Sequence, residues 1–126
     1  MNVLIVDDNK IMRHIIKRSL KRAGLGELEF YEASNGQEAL SRFDETKPDL
    51  ILSDWNMPEM DGMDLLKAIR IKDPEIPFGF ITAQSTSALR ESAQYYGAHF
   101  LLSKPFTPES LRAAVQSIFP PNSNPS

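Results

Sequence analysis

The chain has 126 residues, with 14 Lys and Arg against 17 Asp and Glu, two His and no Cys. That length makes one domain with a proper core, and the missing Cys excludes disulfides, cysteine zinc sites, thiol nucleophiles and iron–sulfur clusters. No apolar run approaches the ~18 residues of a membrane span, and MNVLIVDDNK lacks the basic start of a signal peptide, so a cytoplasmic domain is expected.

The net charge of −3 hides an asymmetry. Residues 9–26 hold Lys10, Arg13, Lys17, Arg18, Lys21 and Arg22 and no acid, so the remaining eight bases face all 17 acids, a balance of −9. This reads as a solvated basic helix face on an acidic domain. A nucleic-acid or membrane surface is the alternative, and the overall negative charge opposes nucleic-acid binding by this chain.

Along the chain, strand and helix patterns alternate. NVLIV over 2–6 is a continuous apolar run that suits a strand buried on both faces. Residues 9–23 have helical spacing, with Met12, Ile15, Ile16, Leu20 and Ala23 inward and the bases outward. Gly24 and Gly26 end that helix. LEFYEA over 28–33 predicts a second strand, and 37–46 a helix with Ala39, Leu40 and Phe43 inward. DLILS over 49–53 is a third strand, followed by the loop DWNMPEMD and a helix from Gly62 to about Lys72. FGFIT over 78–82 is a fourth strand, 86–96 a helix ended by Gly97, and HFLL over 99–102 a short fifth strand. Thr107 and Pro108 cap and open a last helix running to about Phe119. The polar, proline-rich 120–126 is expected to be a disordered tail or the start of a linker.

Five strands alternating with five helices predict an α/β domain with a parallel sheet covered on both faces. Ligands of such sheets sit beyond the carboxyl ends of the strands. There the reading places Asp7 and Asp8, Asp54, Thr82 and Ala83, and Ser103-Lys104-Pro105. Clustered carboxylates repel unless a cation is present. An all-oxygen set suits a hard ion such as Mg2+. With Lys104 and Thr82 nearby, the set can hold a phosphoryl group, and a carboxylate there can attack phosphorus. Asp54, on the central strand, is the expected nucleophile, and Asp8 the nearer metal ligand.

The segments LIVDDN, DLILSDWNMPEMDG, FITA and GAHFLLSKPF, in this order, resemble the receiver domain of two-component response regulators, of the stand-alone chemotaxis (CheY-like) type. The resemblance spans residues 2 to about 119. It implies a flavodoxin-like, doubly wound sheet of order 2-1-3-4-5, a known property of that fold and not a result of spacing. It implies Asp54 as phosphoacceptor, Asp8 holding Mg2+ directly and Asp7 through water, and Asn56 completing the metal site by its backbone carbonyl. Thr82 matches the switch hydroxyl, Ala83 offers a backbone N–H, and Lys104 pairs with the phosphate, with a cis peptide bond to Pro105. The implied partners are a histidine kinase or histidine phosphotransfer protein and a downstream protein target. The implied role is a phosphorylation switch presenting helix 4, strand 5 and helix 5, catalysing only its own phosphorylation and dephosphorylation. A receiver excised from a longer regulator and a phosphorelay intermediate or phosphate sink are the alternatives.

One position departs from the pattern. Many receivers have an aromatic residue three positions before the lysine, where this chain has Leu101; its aromatic, Phe100, is one residue earlier. A shift of one puts a strand side chain on the opposite face, so Leu101 is expected to pack where the ring would. Gly79 inside a strand suggests close packing of a helix. Trp55 is expected to shield the surface beside Asp54 or to shape access to it. Gln84 and Asn56 flank the path of an attacking water. His14 and His99 are expected to be structural. The residues argue against two other classes. A dehalogenase-like phosphatase needs two Asp separated by one residue, and here they adjoin. A flavodoxin-like binder needs a phosphate-cradling loop, and VDDNK has the wrong charge.

Overall fold

Helix starts in this chain are set by side chains that replace missing backbone partners. Asn9, Asn35, Asp61, Thr86 and Thr107 each accept a hydrogen bond from the backbone N–H three residues on. Such caps satisfy donors that a helix cannot satisfy internally. Pro108 follows the last cap at the helix's first turn, where its missing N–H costs nothing.

In the computed structural model, which describes residues 1–119, the expected alternation is present. The elements are β1 (Asn2–Val6), α1 (Lys10–Lys21), β2 (Glu29–Ala33), α2 (Gly36–Thr46), β3 (Leu50–Ser53), α3 (Gly62–Lys72), β4 (Phe78–Thr82), α4 (Ser87–Tyr95), β5 (Phe100–Ser103) and α5 (Pro108–Gln116). The expected tail, 120–126, lies outside the described residues. All strand pairs are parallel, in the order β2-β1-β3-β4-β5. The apolar runs form the central strands, since a parallel strand covered by helices on both faces has no wet side.

Alternate residues of each strand feed two separate cores. Leu4, Val6, Ile51, Phe78 and Phe80 pack with α2, α3 and α4. Val3, Ile5, Leu50, Leu52 and Ile81 pack with α1 and α5. Phe100 joins the second group and Leu101 the first, so the one-residue offset does separate them across the sheet.

Three expectations need correction. Ile15 is 41% exposed, while Ser19, one turn on, is buried. Arg13, expected on the solvated face, has a side chain only 14% exposed. Gly79 does not admit a helix; a Cβ there would overlap the ring of Phe100 on the adjacent strand. The pair Gly79 and Phe100 are cross-strand neighbours, and the ring lies over the glycine.

Gly79→Ala should therefore destabilise the domain by ~1–3 kcal/mol, the usual cost of overpacking. Adding Phe100→Leu to that variant should return part of the loss, measured by denaturant unfolding.

Candidate functional site

The site lies at the carboxyl ends of β1, β3, β4 and β5. The chain leaves β1 into Asp7, whose N–H donates to Ala33 O at the end of β2 (3.1 Å). It leaves β3 into Asp54, whose N–H donates to Val6 O (2.8 Å). Sheet hydrogen bonding thus extends one residue past each strand and fixes both carboxylates relative to each other. Asp7 is 1% exposed and Asp8 is exposed. Carboxylate oxygens of Asp7, Asp8 and Asp54 lie within 4.8 Å of one another.

Lys104 comes from the end of β5 and crosses to this cluster. Its Nζ donates to Asp7 Oδ2 (2.8 Å) and to Asp54 Oδ2 (3.2 Å). The peptide bond to Pro105 is cis, as the resemblance implied. The Lys104 side chain is 15% exposed. Burial alone would push its ammonium down, but hydrogen bonds and charge from Asp7 and Asp54 outweigh that and raise it. The lysine is therefore a fixed cation. Asp54 moves up from the ordinary Asp range, first because burial penalises its charge, with the Asp7 charge adding and Lys104 opposing. A buried, partly compensated carboxylate among like charges is a usual mark of a functional group.

The second oxygen of Asp54 is held locally. Trp55 N–H donates to Oδ1 (2.7 Å), and Trp55 O accepts from Gly62 N–H (2.8 Å). Gly62 is required there, because a Cβ would overlap the Asp54 carbonyl oxygen. Asn56 is exposed, two residues past Asp54. The Trp55 ring turns into the core rather than lying on the surface. It is 9% exposed and packs on Phe80, with ring centroids 4.6 Å apart.

Thr82 ends β4 and is fully buried. Its hydroxyl accepts from Gln84 N–H (3.3 Å) and makes no hydrogen bond to Asp54 among the described residues. Its carbonyl accepts from Lys104 N–H (2.8 Å), tying β4 to the lysine's own backbone. Ala83 and Gln84 are exposed in the loop that follows. His14 is exposed, and His99 is structural: its Nδ1 accepts from Phe78 N–H (3.2 Å). Burial pushes His99 below the ordinary imidazole range, and the nearby Arg70 charge adds to this.

Sequence reasoning missed one residue at the site. Arg13 Nη1 donates to Asp7 O (2.6 Å), while its Nε donates to Glu32 Oε1 (2.8 Å). Lys17 Nζ also bonds Glu32, at Oε2 (2.8 Å). Glu32 is held below its ordinary range first by the Lys17 hydrogen bond, with Arg13 adding and burial opposing. The available signal was helical spacing, since Arg13 stands at the edge of the buried stripe, nearest β2.

The donor set fits a divalent ion. It is all oxygen, with three carboxylates and no His or Cys ligand, which favours hard cations such as Mg2+ over zinc or copper.

The family model for the response regulator receiver domain matches residues 3–116. The chain is 39% identical to chemotaxis protein CheY1 of Helicobacter pylori, covering 97% of this chain and 99% of that one. It is 36% identical to a CheY homologue of Campylobacter jejuni, over 94% and 92%. Among solved structures, CheY4 of Vibrio cholerae matches with a TM-score of 0.83 and 33% identity, over 93% and 97% of the two chains. The CheX-CheY-BeF3-Mg complex of Borrelia burgdorferi matches with a TM-score of 0.87 and 26% identity, over 94% and 89%. Fold, strand-end chemistry and family match agree, and they set aside the phosphatase and flavodoxin-like alternatives: the chain belongs to the response regulator receiver family, of the CheY-like type, whose members are phosphorylation-dependent signalling switches.

Proposed function

We propose that Asp54 is the phosphoacceptor of this switch. The observation that carries the reading is the bridge of Lys104 between Asp7 and Asp54, beside exposed Asp8. A carboxylate oxygen of Asp54 attacks phosphorus of a phosphohistidine. The new O–P bond forms as the P–N bond breaks, and the histidine leaves as imidazole. The donor is a histidine kinase or histidine phosphotransfer protein, and a downstream protein reads the result. The cytoplasmic setting expected from the sequence belongs to this reading; among the described residues no helix is long and apolar enough to cross a membrane. The chain's own catalysis is confined to gaining and losing its phosphoryl group.

Asp7, Asp8, Asp54 and the Asn56 carbonyl would hold Mg2+. When bound, it offsets negative charge between the carboxylates and the phosphoryl oxygens. Lys104 already points at Asp54 and meets the incoming charge without rearrangement. Thr82 must change partner. A phosphoryl group adds about −1.5 to −2 charge, and the hydroxyl gains a charge-assisted bond by donating to it. Moving inward, it gives up the Gln84 N–H and frees the loop that leads into α4. Arg90 of α4 donates to Leu101 O (3.1 Å) and Ser103 Oγ (3.3 Å). Loop movement therefore reaches β5 through Arg90, without an aromatic at position 101.

With acetyl phosphate and Mg2+, mass spectrometry should show one added phosphoryl group, absent from Asp54→Asn. Equal labelling of that variant would refute the assignment.

Asp8 has no cation within ion-pairing distance among the described residues, whereas Asp7 is paired. Asp8→Asn should raise the melting temperature in EDTA, by the equivalent of about 1 kcal/mol at most. Asp7→Asn should lower it, because it strips Lys104 of a buried partner. The reverse order would contradict the pairing.

Beryllofluoride, a phosphoryl mimic, should shift amide resonances of residues 83–106. Thr82→Ala should keep phosphorylation but lose most of those shifts, while Leu101→Ala keeps them. If Leu101→Ala erases them and Thr82→Ala does not, the loop route is wrong.

A further inference from the structure

Asp8 is the exposed member of the carboxylate cluster, and its own side chain has no hydrogen bond among the described residues to aim it. Its position is set by the peptide groups on either side. The one after it is fixed by Asn9 N–H, which donates to Asp7 Oδ1 (2.9 Å). The one before it, the Asp7 carbonyl, is fixed by the guanidinium of Arg13 (2.6 Å). That guanidinium is anchored in turn to Glu32 in edge strand β2 (2.8 Å), and Glu32 is steadied by Lys17. Arg meets the carbonyl and the carboxylate with a rigid planar fork, whereas Lys would present a single ammonium on a flexible stem.

We propose that Arg13 is a positioning residue for the metal-holding pair: by tying the Asp7 carbonyl to Glu32 it fixes the turn between β1 and α1 from which Asp8 projects. This rests on the reading of Asp7, Asp8 and Asp54 as the divalent-cation site. The contact lies one layer behind the ligands, where lost support typically costs 10- to 100-fold in metal affinity.

Electrostatics alone predicts the opposite sign. Arg13 is a cation beside a cation site, so deleting it should tighten Mg2+ binding. Positioning predicts weaker binding. Mg2+ affinity is measured by titration calorimetry and by Trp55 emission on the metal-free protein. Arg13→Ala should weaken Mg2+ binding about tenfold. Arg13→Lys keeps the charge and the aliphatic stem, and it should also weaken binding severalfold. It decides the matter if Arg13→Ala fails to fold. Lys17→Ala removes a cation from the same carboxylate while leaving the Asp7 contact, and should bind Mg2+ at least as well as wild type. Wild-type or tighter affinity in both Arg13 variants, or equal weakening in Lys17→Ala, overturns the proposal. Failure of the wild-type protein to bind Mg2+ at all would overturn the reading of the site, and this inference with it.

Discussion

Three carboxylates in one mouth cannot coexist without positive charge, and in the described chain one ammonium supplies it. Lys104 reaches from β5 to Asp7 after β1 and Asp54 after β3, three and two places away in the sheet. Two unit charges at about 4 Å attract by ~4 kcal/mol at the effective dielectric of a protein surface. Desolvation of all three groups takes back much of that. What the arrangement secures is geometry. Asp54 keeps one oxygen on the lysine and one on Trp55 N–H, so it stays ordered while its charge is only partly offset. A carboxylate stabilised more fully would be a poorer nucleophile.

Strand parity divides the side chains of the two-sided sheet between two cores. Phe80 and Leu101 face α3 and α4, whereas Ile81 and Phe100 face α1 and α5. Thr82 lies at the end of the row containing Phe80, and its hydroxyl accepts from Gln84 N–H in the loop beyond it. The Phe100 ring rests on Gly79 on the far side and cannot rotate into the space beside Thr82 without crossing its own strand. The proposed coupling therefore runs through backbone and Arg90, not through a swinging ring.

The architecture was legible because strand runs and caps are local signals. NVLIV, DLILS, FGFIT and HFLL fall on the observed strands within a residue, and Asp7, Asp8, Asp54, Thr82 and Lys104 follow from where those runs stop. Contacts that depend on which edge of a helix meets which strand were not legible. Arg13 and Ile15 lie on opposite margins of the α1 stripe, and spacing alone put the apolar one inside and the charged one outside. The edge strand β2 decided otherwise, because its Glu32 offers Arg13 a partner. Trp55 was misplaced for a related reason: its loop position suggested the surface, while Phe80 beneath the loop provides a stacking face. Gly79 carried a true signal of close approach, but the approaching group was a neighbouring strand's ring.

In the switch proposed above, the size of the response is bounded by what differs between its states. Lys104 contacts Asp54 before any phosphoryl group arrives, so its bond strengthens without being newly made. The new contact is Thr82 to a phosphoryl oxygen, worth ~1.5–3 kcal/mol as a hydrogen bond to a charged group. Against it stands the lost bond to Gln84 N–H, ~0.5–1.5 kcal/mol for a neutral pair. The net bias is on the order of 1–2 kcal/mol, a shift of roughly ten-fold, against the ~5.5 kcal/mol needed to carry a two-state equilibrium from 1:99 to 99:1. An all-or-none response therefore requires a further contribution, which the proposed downstream partner would supply by linkage if it prefers the rearranged α4–β5 face. By the same reciprocity, that partner stabilises the phosphorylated, Thr82-inward state while it is bound.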